Sequence, residues 1–169
     1  MSVIPHLKPE VIEHMPESMF GNIQEALPLA LNEIHNRAEA RWQADSGIPS
    51  GDHRLLDILE PCLNAIIRAE RQRITFIEFS IRNGLVQPGE TQGSTTPHWH
   101  HDGSAFDKTT KYITANAFTT EFLGNWLSIY RPQPGELVRF DSKKHRAPTN
   151  YTDEPIQRTW VRSIVHHPE

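Results

Sequence analysis

Three histidines and an aspartate fall within five positions of the segment TTPHWHHDGSAF, as His98, His100, His101 and Asp102. In an extended segment, alternate side chains point to the same side, so His98, His100 and Asp102 would face one way. Trp99 and His101 would face the other way. An imidazole nitrogen and a carboxylate oxygen on one side can bind a single metal ion. The spacing therefore predicts a metal site, to which another part of the chain must add a ligand.

The remaining histidines of the second half are the candidates for that ligand. His145 lies in FDSKKHRAPTN, directly after the predicted strand GELVRF, while His166 and His167 lie near the end of the sequence. A strand holds the residue that follows it in a defined direction, which favours His145. Two histidines and one carboxylate on one side of an ion leave several coordination positions open. Ferrous iron has this arrangement in oxygenases.

Two arginines lie in the last predicted strand, RTWVRSIV. Arg158 and Arg162 share one face of it together with Trp160, and Arg158 follows His145 by thirteen positions. A buried guanidinium is costly unless it meets an anion. A carboxylate held at two points is a natural partner for its planar fork of donors. This face is therefore predicted to bind a carboxylate.

The two halves of the chain show different periodicities. Apolar residues at spacings of three and four predict a helix from 18 to about 42 and a second helical region that Asp52 caps and Pro61 divides. Runs of β-branched and aromatic residues predict strands at 74–82, 111–118, 135–140 and 158–165. We expect one domain over 1–169, with a helical scaffold at 1–72 and a β core at 73–169.

Composition limits the classes of function. The chain has 169 residues and a formal charge of −4, with scattered basic residues, which argues against a nucleic-acid partner. Cys62 is the single cysteine, so a disulfide within the chain and a cysteine-based zinc site are excluded. No apolar run reaches the length of a membrane span, and we expect no membrane partner and a cytoplasmic location.

The order of these residues resembles that of the 2-oxoglutarate- and Fe(II)-dependent dioxygenases. The matching features are a His-x-Asp pair in HHD, a distal histidine in KKHRAPTN and an arginine in QRTWVRS. PGELVRFDSKKHRAP also resembles the strand that leads to the distal histidine of the family. The resemblance covers about residues 74–165. It implies an α+β fold: a double-stranded β-helix, or cupin-like jelly roll, with N-terminal helices packed on the sheet.

The resemblance also implies an activity. His100, Asp102 and His145 would bind Fe(II), and Arg158 would bind the distal carboxylate of the co-substrate 2-oxoglutarate, with Arg162 as the alternative on the same face. Dioxygen would react with both, releasing succinate and carbon dioxide. The most common outcome is hydroxylation of an unactivated C–H bond, here expected in a small-molecule substrate.

Two other interpretations remain open. A cupin-type metalloprotein would bind its metal through His98, His100 and His145 and would need no arginine for a co-substrate. The lack of a glutamate shortly after His100 counts against it. A jelly-roll module that binds a ligand without catalysis would keep the same residues for other reasons.

Overall fold

The computed structural model describes residues 9–27, 37–44, 50–51, 53–92, 98–102, 108–124, 126, 128–141 and 143–169. Its helices are α1 (Glu17–Ala26), α2 (His53–Ile58) and α3 (Glu60–Ala69). Pro61 lies in the first turn of α3, where its missing N–H has no helical acceptor to lose. This confirms the predicted division of the second helical region, while the capping role of Asp52 lies outside the described residues.

The first predicted helix is too long. It ends at Ala26, and the segment Arg37–Gln43 is a strand, β2. Its residues alternate: Ala40 is buried in the core with Ala38 and Trp42 against it, and Glu39 is exposed. Full-length pairing of β2 with a neighbouring strand supplies hydrogen bonds that local helix propensity cannot match. The stretch 28–36 is outside the described residues.

Two more strands lie in the part predicted to be a helical scaffold. They are β1 (Glu10–His14) and β3 (Ser50–Gly51), and with β2 they join the same sheet as the later strands. The boundary drawn at residue 72 between helices and strands is therefore wrong as a description of secondary structure.

Two antiparallel sheets carry the fold. The large sheet has the order β1-β8-β5-β10-β4-β2-β3, and the small sheet has the order β7-β6-β9. The strands of the second half that were predicted are present, with shifted ends: β4 (Phe76–Val86), β5 (Thr110–Ala115), β8 (Glu136–Arg139) and β10 (Ile156–His166). The small sheet consists of β6 (Glu121–Leu123), β7 (Ile129–Tyr130) and β9 (His145–Arg146).

The large sheet buries apolar residues on both faces. On one face, Ile77, Phe79 and Ile81 of β4 pack with the helices in the main core. On the other face, a second cluster joins the two sheets: Ile113, Phe122, Val138 and Phe140. Two facing antiparallel sheets with helices against the outside of the larger one form a jelly roll, which confirms the predicted fold class.

Beside this apolar cluster, the inner face of the large sheet is polar along β4. In β4, Glu78, Ser80 and Arg82 alternate with the core residues and point to this face, as their spacing predicted. β10 lies between β4 and β5, and Arg162 is directly opposite Ser80. The inner face thus brings the arginines of the last strand into the space between the sheets.

A glycine fixes the turn that leads into β8. Gly135 has a φ of +86°, and a Cβ there would lie 2.7 Å from Cε1 of His14. The positive φ favours glycine, whereas the close atom belongs to an exposed side chain that can move aside. Its N–H donates to the carbonyl of Ala115 at 2.8 Å, which sets β8 beside β5. Across the described ranges, no helix is long and apolar enough to cross a membrane.

Candidate metal centre

His145 occupies a strand that is paired on both sides. After β8 the chain passes from the large sheet to the small one, where β9 places His145 opposite Phe122 of β6. On its other side, His145 pairs with His100 through two backbone hydrogen bonds of 3.0 Å. The two histidines are directly opposite neighbours, so their side chains are close because of backbone pairing and not by chance contact.

Asp102 completes a group of three converging ligands. One ligand atom from each of His100, Asp102 and His145 lies within 4.8 Å of the others. Nε2 of His100 is 3.8 Å from Oδ1 of Asp102, and Nε2 of His145 is 3.5 Å from Oδ2. Both distances exceed those of good hydrogen bonds. The three groups surround a common point, which is the geometry of a metal site.

Backbone carbonyls set the orientation of both imidazoles. Nδ1 of His100 lies 3.0 Å from the carbonyl oxygen of His98, and Nδ1 of His145 lies 3.0 Å from that of Lys143. A carbonyl oxygen can only accept a hydrogen bond, so in each neutral ring the proton is on Nδ1. Both Nε2 atoms therefore carry free lone pairs, and both face Asp102. Metal-binding histidines are held in this way.

The centre has a buried side and an open side. The His145 side chain is only 7% exposed, and the rings of Phe122 and Phe140 lie 6.0 and 5.0 Å from its ring. The His100 side chain is 39% exposed. A metal held here would have a dry aromatic wall behind it and access for a further ligand on the side of His100.

Arg162 contacts the carboxylate of the centre. Its Nη1 donates to Oδ2 of Asp102 at 2.9 Å. Burial by itself would raise the pKa of Asp102, but the nearby His145 ring and the charge and hydrogen bond of Arg162 outweigh it, so this pKa lies well below its usual range. The aspartate is therefore an anion, which is the form that binds a metal.

Arg158 is buried, and its hydrogen-bond acceptors in the described part of the chain are neutral groups. It is 2% exposed, and its Nε donates to the carbonyls of Ala117 and Phe118 at 3.2 and 2.6 Å. Its Nη1 donates to Oε1 of Gln92 at 2.9 Å. Within the described ranges, no carboxylate oxygen lies within 4.0 Å of it. Burial, and then the charge of Arg82, lower the pKa of Arg158 to about 9.

The two arginines, which the sequence places on one face, therefore have different surroundings. Arg162 is tied to Asp102, whereas Arg158 lies four residues earlier, about 13 Å away along an extended strand. Each guanidinium has five N–H donors. Nη2 of Arg158 also contacts Oγ1 of Thr120 at 3.5 Å, and among the described residues its contacts leave one donor on each terminal nitrogen. A carboxylate bound there would relieve the cost of the uncompensated charge.

The other histidines lie outside the converging group. His98 is exposed, with its ring 5.2 Å from that of His100, and His101 is also exposed. His166 bonds Glu78 and stacks on Phe76. His167 contacts Thr110, the Arg73 carbonyl and Glu70. Of the residues that the structure describes, His100, Asp102 and His145 form the group whose ligand atoms meet.

A buried glutamate supports this centre, and no pattern in the sequence indicated it. Glu121, in β6, is 1% exposed and pairs with Arg146 at 3.1 Å and with Arg131 at 2.6 Å. The Arg146 guanidinium lies 4.4 Å from the ring of Trp99. This chain of contacts joins the segment of His100 to the strand of His145. Only the three-dimensional pairing of β6 with β9 brings these residues together.

Replacing Glu121 by glutamine is expected to lower the free energy of unfolding by about 1–3 kcal/mol, because two guanidiniums lose their anionic acceptor. Urea denaturation of the metal-free protein would measure it. Glu25→Gln, on the exposed face of α1, is the matched control and should change little. Equal stability of the two variants would show that the pairs of Glu121 contribute nothing.

Comparisons with known proteins give weak likenesses. No protein-family model matches the chain, and no curated protein does. Among solved structures, a prolyl-4-hydroxylase from Pseudomonas putida is similar, with 13% identity, a TM-score of 0.49, and coverage of 98% of this chain and 95% of that one.

A Cupin_2 domain of an XRE family transcriptional regulator from Enterobacter cloacae is similar over a shorter range. Its identity is 16% and its TM-score 0.32, with coverage of 55% of this chain and 83% of that one. Likenesses this weak carry no argument about activity. The jelly roll rests on the sheets and their order, and the metal centre on its own geometry.

Proposed function

We propose that this protein is a cytoplasmic Fe(II)- and 2-oxoglutarate-dependent oxygenase that hydroxylates an unactivated C–H bond of a small molecule. The observation that carries the proposal is the orientation of the two imidazole rings. In each ring, Nδ1–H donates a hydrogen bond to a backbone carbonyl, and Nε2 faces the ionised Asp102. Two neutral nitrogens and one carboxylate oxygen are the ligand set of ferrous oxygenases.

Iron bound there together with 2-oxoglutarate would supply the oxidising power, with one oxygen atom of dioxygen going to the substrate and the other to succinate, and with loss of carbon dioxide. The protein supplies position and exclusion of water. His145, between Phe122 and Phe140, holds the ligand set against a dry wall. Arg162 keeps the Asp102 carboxylate oriented and ionised.

Arg158 supports the choice of co-substrate. 2-Oxoglutarate is a diacid, and when one end binds a metal in a buried site, the other carboxylate is costly to bury unless a cation binds it. Arg158 is a buried cation on the strand that also carries Arg162, and its contacts with described residues leave N–H donors on its terminal nitrogens. Arg162 already contacts Asp102 and lies too close to the metal to hold the far end. The distal carboxylate is therefore assigned to Arg158.

The cupin-type alternative needs His98 as a ligand. In the structure, that side chain is exposed and outside the group of converging ligand atoms. Its place is taken by Asp102, which a site of three histidines would not use. Three histidine ligands are therefore less well supported than two histidines and a carboxylate.

The test is formation of succinate. The metal-free protein is reloaded with Fe(II) without oxygen and is then given 2-oxoglutarate and dioxygen, with no second substrate. We expect slow succinate formation that requires iron and stops in His145→Ala but continues in His101→Ala. A protein that binds iron yet forms no succinate above the level of free iron would contradict the proposed function.

A further inference from the structure

A charged cleft lies beside the metal centre on the inner face of the large sheet. It has a volume of about 440 Å³ and is formed by β2, β4 and β10. Arg162 belongs both to this cleft and to the metal centre, through its bond to Asp102. The volume falls within the range of sites for small metabolites.

The register of the strands arranges the charges in two rows. Glu39, Ser80 and Arg162 are neighbours across the three strands, and Arg41, Glu78 and Ile164 form the next row. Two guanidiniums and two carboxylates thus share one small space. The charges balance, so the cleft favours neither an anion nor a cation of high charge.

Several of these charged groups have not neutralised one another. Arg41 lies over the ring of Phe76, with Cζ 3.7 Å from its centre, although Glu78 is its partner in the register. Glu78 is instead bonded to His166 at 2.9 Å. Glu39 forms no ion pair with any other residue that the structure describes.

Buried donors also lie unused at this cleft. The Nε atoms of Arg41 and Arg162 are buried, and neither has a hydrogen-bond partner within the described part of the chain. Buried N–H groups of native proteins normally have an acceptor. The same two guanidiniums line the cleft, where a carboxylate could bind their terminal nitrogens, and Glu39 and Glu78 could receive a cationic group of the same molecule.

The position of the cleft separates it from the co-substrate. On β10 the inner face presents Arg158, Trp160, Arg162 and Ile164 in that order. Arg162 lies beside the proposed metal site. Arg158 precedes Arg162 on the strand, and the cleft with Ile164 lies on the opposite side of Arg162. A molecule in the cleft would approach the metal from the side opposite to the distal carboxylate of 2-oxoglutarate.

We infer that this cleft binds the substrate to be oxidised, and that the substrate is a small zwitterion of the free amino-acid class. Its carboxylate contacts Arg41 and Arg162, and its ammonium group contacts Glu39 and Glu78. Its aliphatic part lies toward Ile164. This inference rests on the proposed function for the word substrate, but binding of the zwitterion requires neither iron nor 2-oxoglutarate.

The experiment is calorimetric titration of the metal-free, full-length protein with each of the standard L-amino acids. Propylamine and propionate serve as probes that carry only one of the two charges. We expect at least one amino acid to bind. Propylamine and propionate should each bind at least about tenfold more weakly, since each lacks one set of charge-assisted hydrogen bonds. Arg41→Gln and Glu39→Gln should each lower the affinity for the amino acid by about tenfold.

Arg71→Gln and Glu90→Gln are the matched exposed controls and should leave binding unchanged. Glu39 is itself exposed, so its variant stays informative if Arg41→Gln disturbs the fold. Absence of binding by every amino acid would overturn the inference. The inference would also be overturned if propionate bound as tightly as the amino acid and Glu39→Gln had no effect on the affinity.

The two proposals can fail separately. Amino-acid binding without succinate formation would support the zwitterion cleft and count against the oxygenase. Succinate formation without amino-acid binding would leave the oxygenase standing and overturn the zwitterion cleft.

Discussion

Replacing Asp102 by alanine is expected to lower the affinity for Fe(II) by at least about a hundredfold. Loss of a supporting hydrogen bond around a metal ligand costs about ten- to a hundredfold, and loss of the ligand itself costs more. The change removes the only carboxylate of the converging group of described residues. Anaerobic equilibrium dialysis against Fe(II) would measure the affinity directly.

Two further variants make this result specific. Asp57→Ala removes an exposed carboxylate from α2 and should leave iron binding unchanged. His98→Ala removes the histidine that a cupin-type site would use and should also leave it unchanged. If iron binding survives in Asp102→Ala and is lost in His98→Ala, the site of three histidines is correct.

Asp102→Ala also leaves Arg162 without its acceptor, so the fold must be checked. Circular dichroism would show whether the metal-free variant retains its secondary structure. Asp102→Asn keeps the shape of the side chain and a hydrogen-bond acceptor for Arg162 but removes the charge. It should lose iron as well, with a smaller effect on stability.

Replacing Arg158 by lysine is expected to lower the affinity for 2-oxoglutarate by about tenfold or more, while iron binding is nearly unchanged. Lysine keeps the positive charge but loses the planar fork that grips a carboxylate at two points. It also cannot reproduce the bonds to the carbonyls of Ala117 and Phe118. Calorimetric titration of 2-oxoglutarate into the protein loaded with Fe(II) without oxygen would measure both effects.

Gln92 offers a milder test of the same assignment. Its Oε1 accepts from Nη1 of Arg158, so Gln92→Glu would give the arginine a carboxylate of its own at almost the same volume. That carboxylate should compete with 2-oxoglutarate and weaken its binding. The change also removes the hydrogen bond from Nε2 of Gln92 to the Arg158 carbonyl at 3.1 Å, so circular dichroism must confirm that the variant is folded. Unchanged affinity in both Gln92→Glu and Arg158→Lys, with a loss in Arg162→Lys, would move the distal carboxylate to Arg162.

The ligand group and the later strands were accessible from the sequence because both depend on local pattern. His100 and Asp102 are two residues apart, and His145 follows the predicted strand GELVRF. The alternation in β4 likewise separates the core residues from the inner face. Periodicity of two is a strong signal wherever one face is buried.

The parts that failed depend on pairing between distant segments. Ala38 and Ala40 fit a helical spacing as well as a strand, and pairing of β2 with β4 decided the outcome. That error hid Glu39 and Arg41, which only a strand places in the cleft. The preference for Arg158 over Arg162 stays a prediction. The contact of Arg162 with Asp102 supports it, and the sequence alone shows only that both arginines share a face.

The most direct test of the oxygenase is anaerobic titration of the protein with Fe(II) and then with 2-oxoglutarate, followed by visible absorption. Chelation of iron by the 2-oxo acid gives a weak charge-transfer absorption, which neither component shows alone. We predict that it appears in the wild-type protein, is absent in Asp102→Ala, and needs a higher concentration of 2-oxoglutarate in Arg158→Lys. A wild-type protein that binds Fe(II) but shows no such absorption at saturating 2-oxoglutarate would contradict the account.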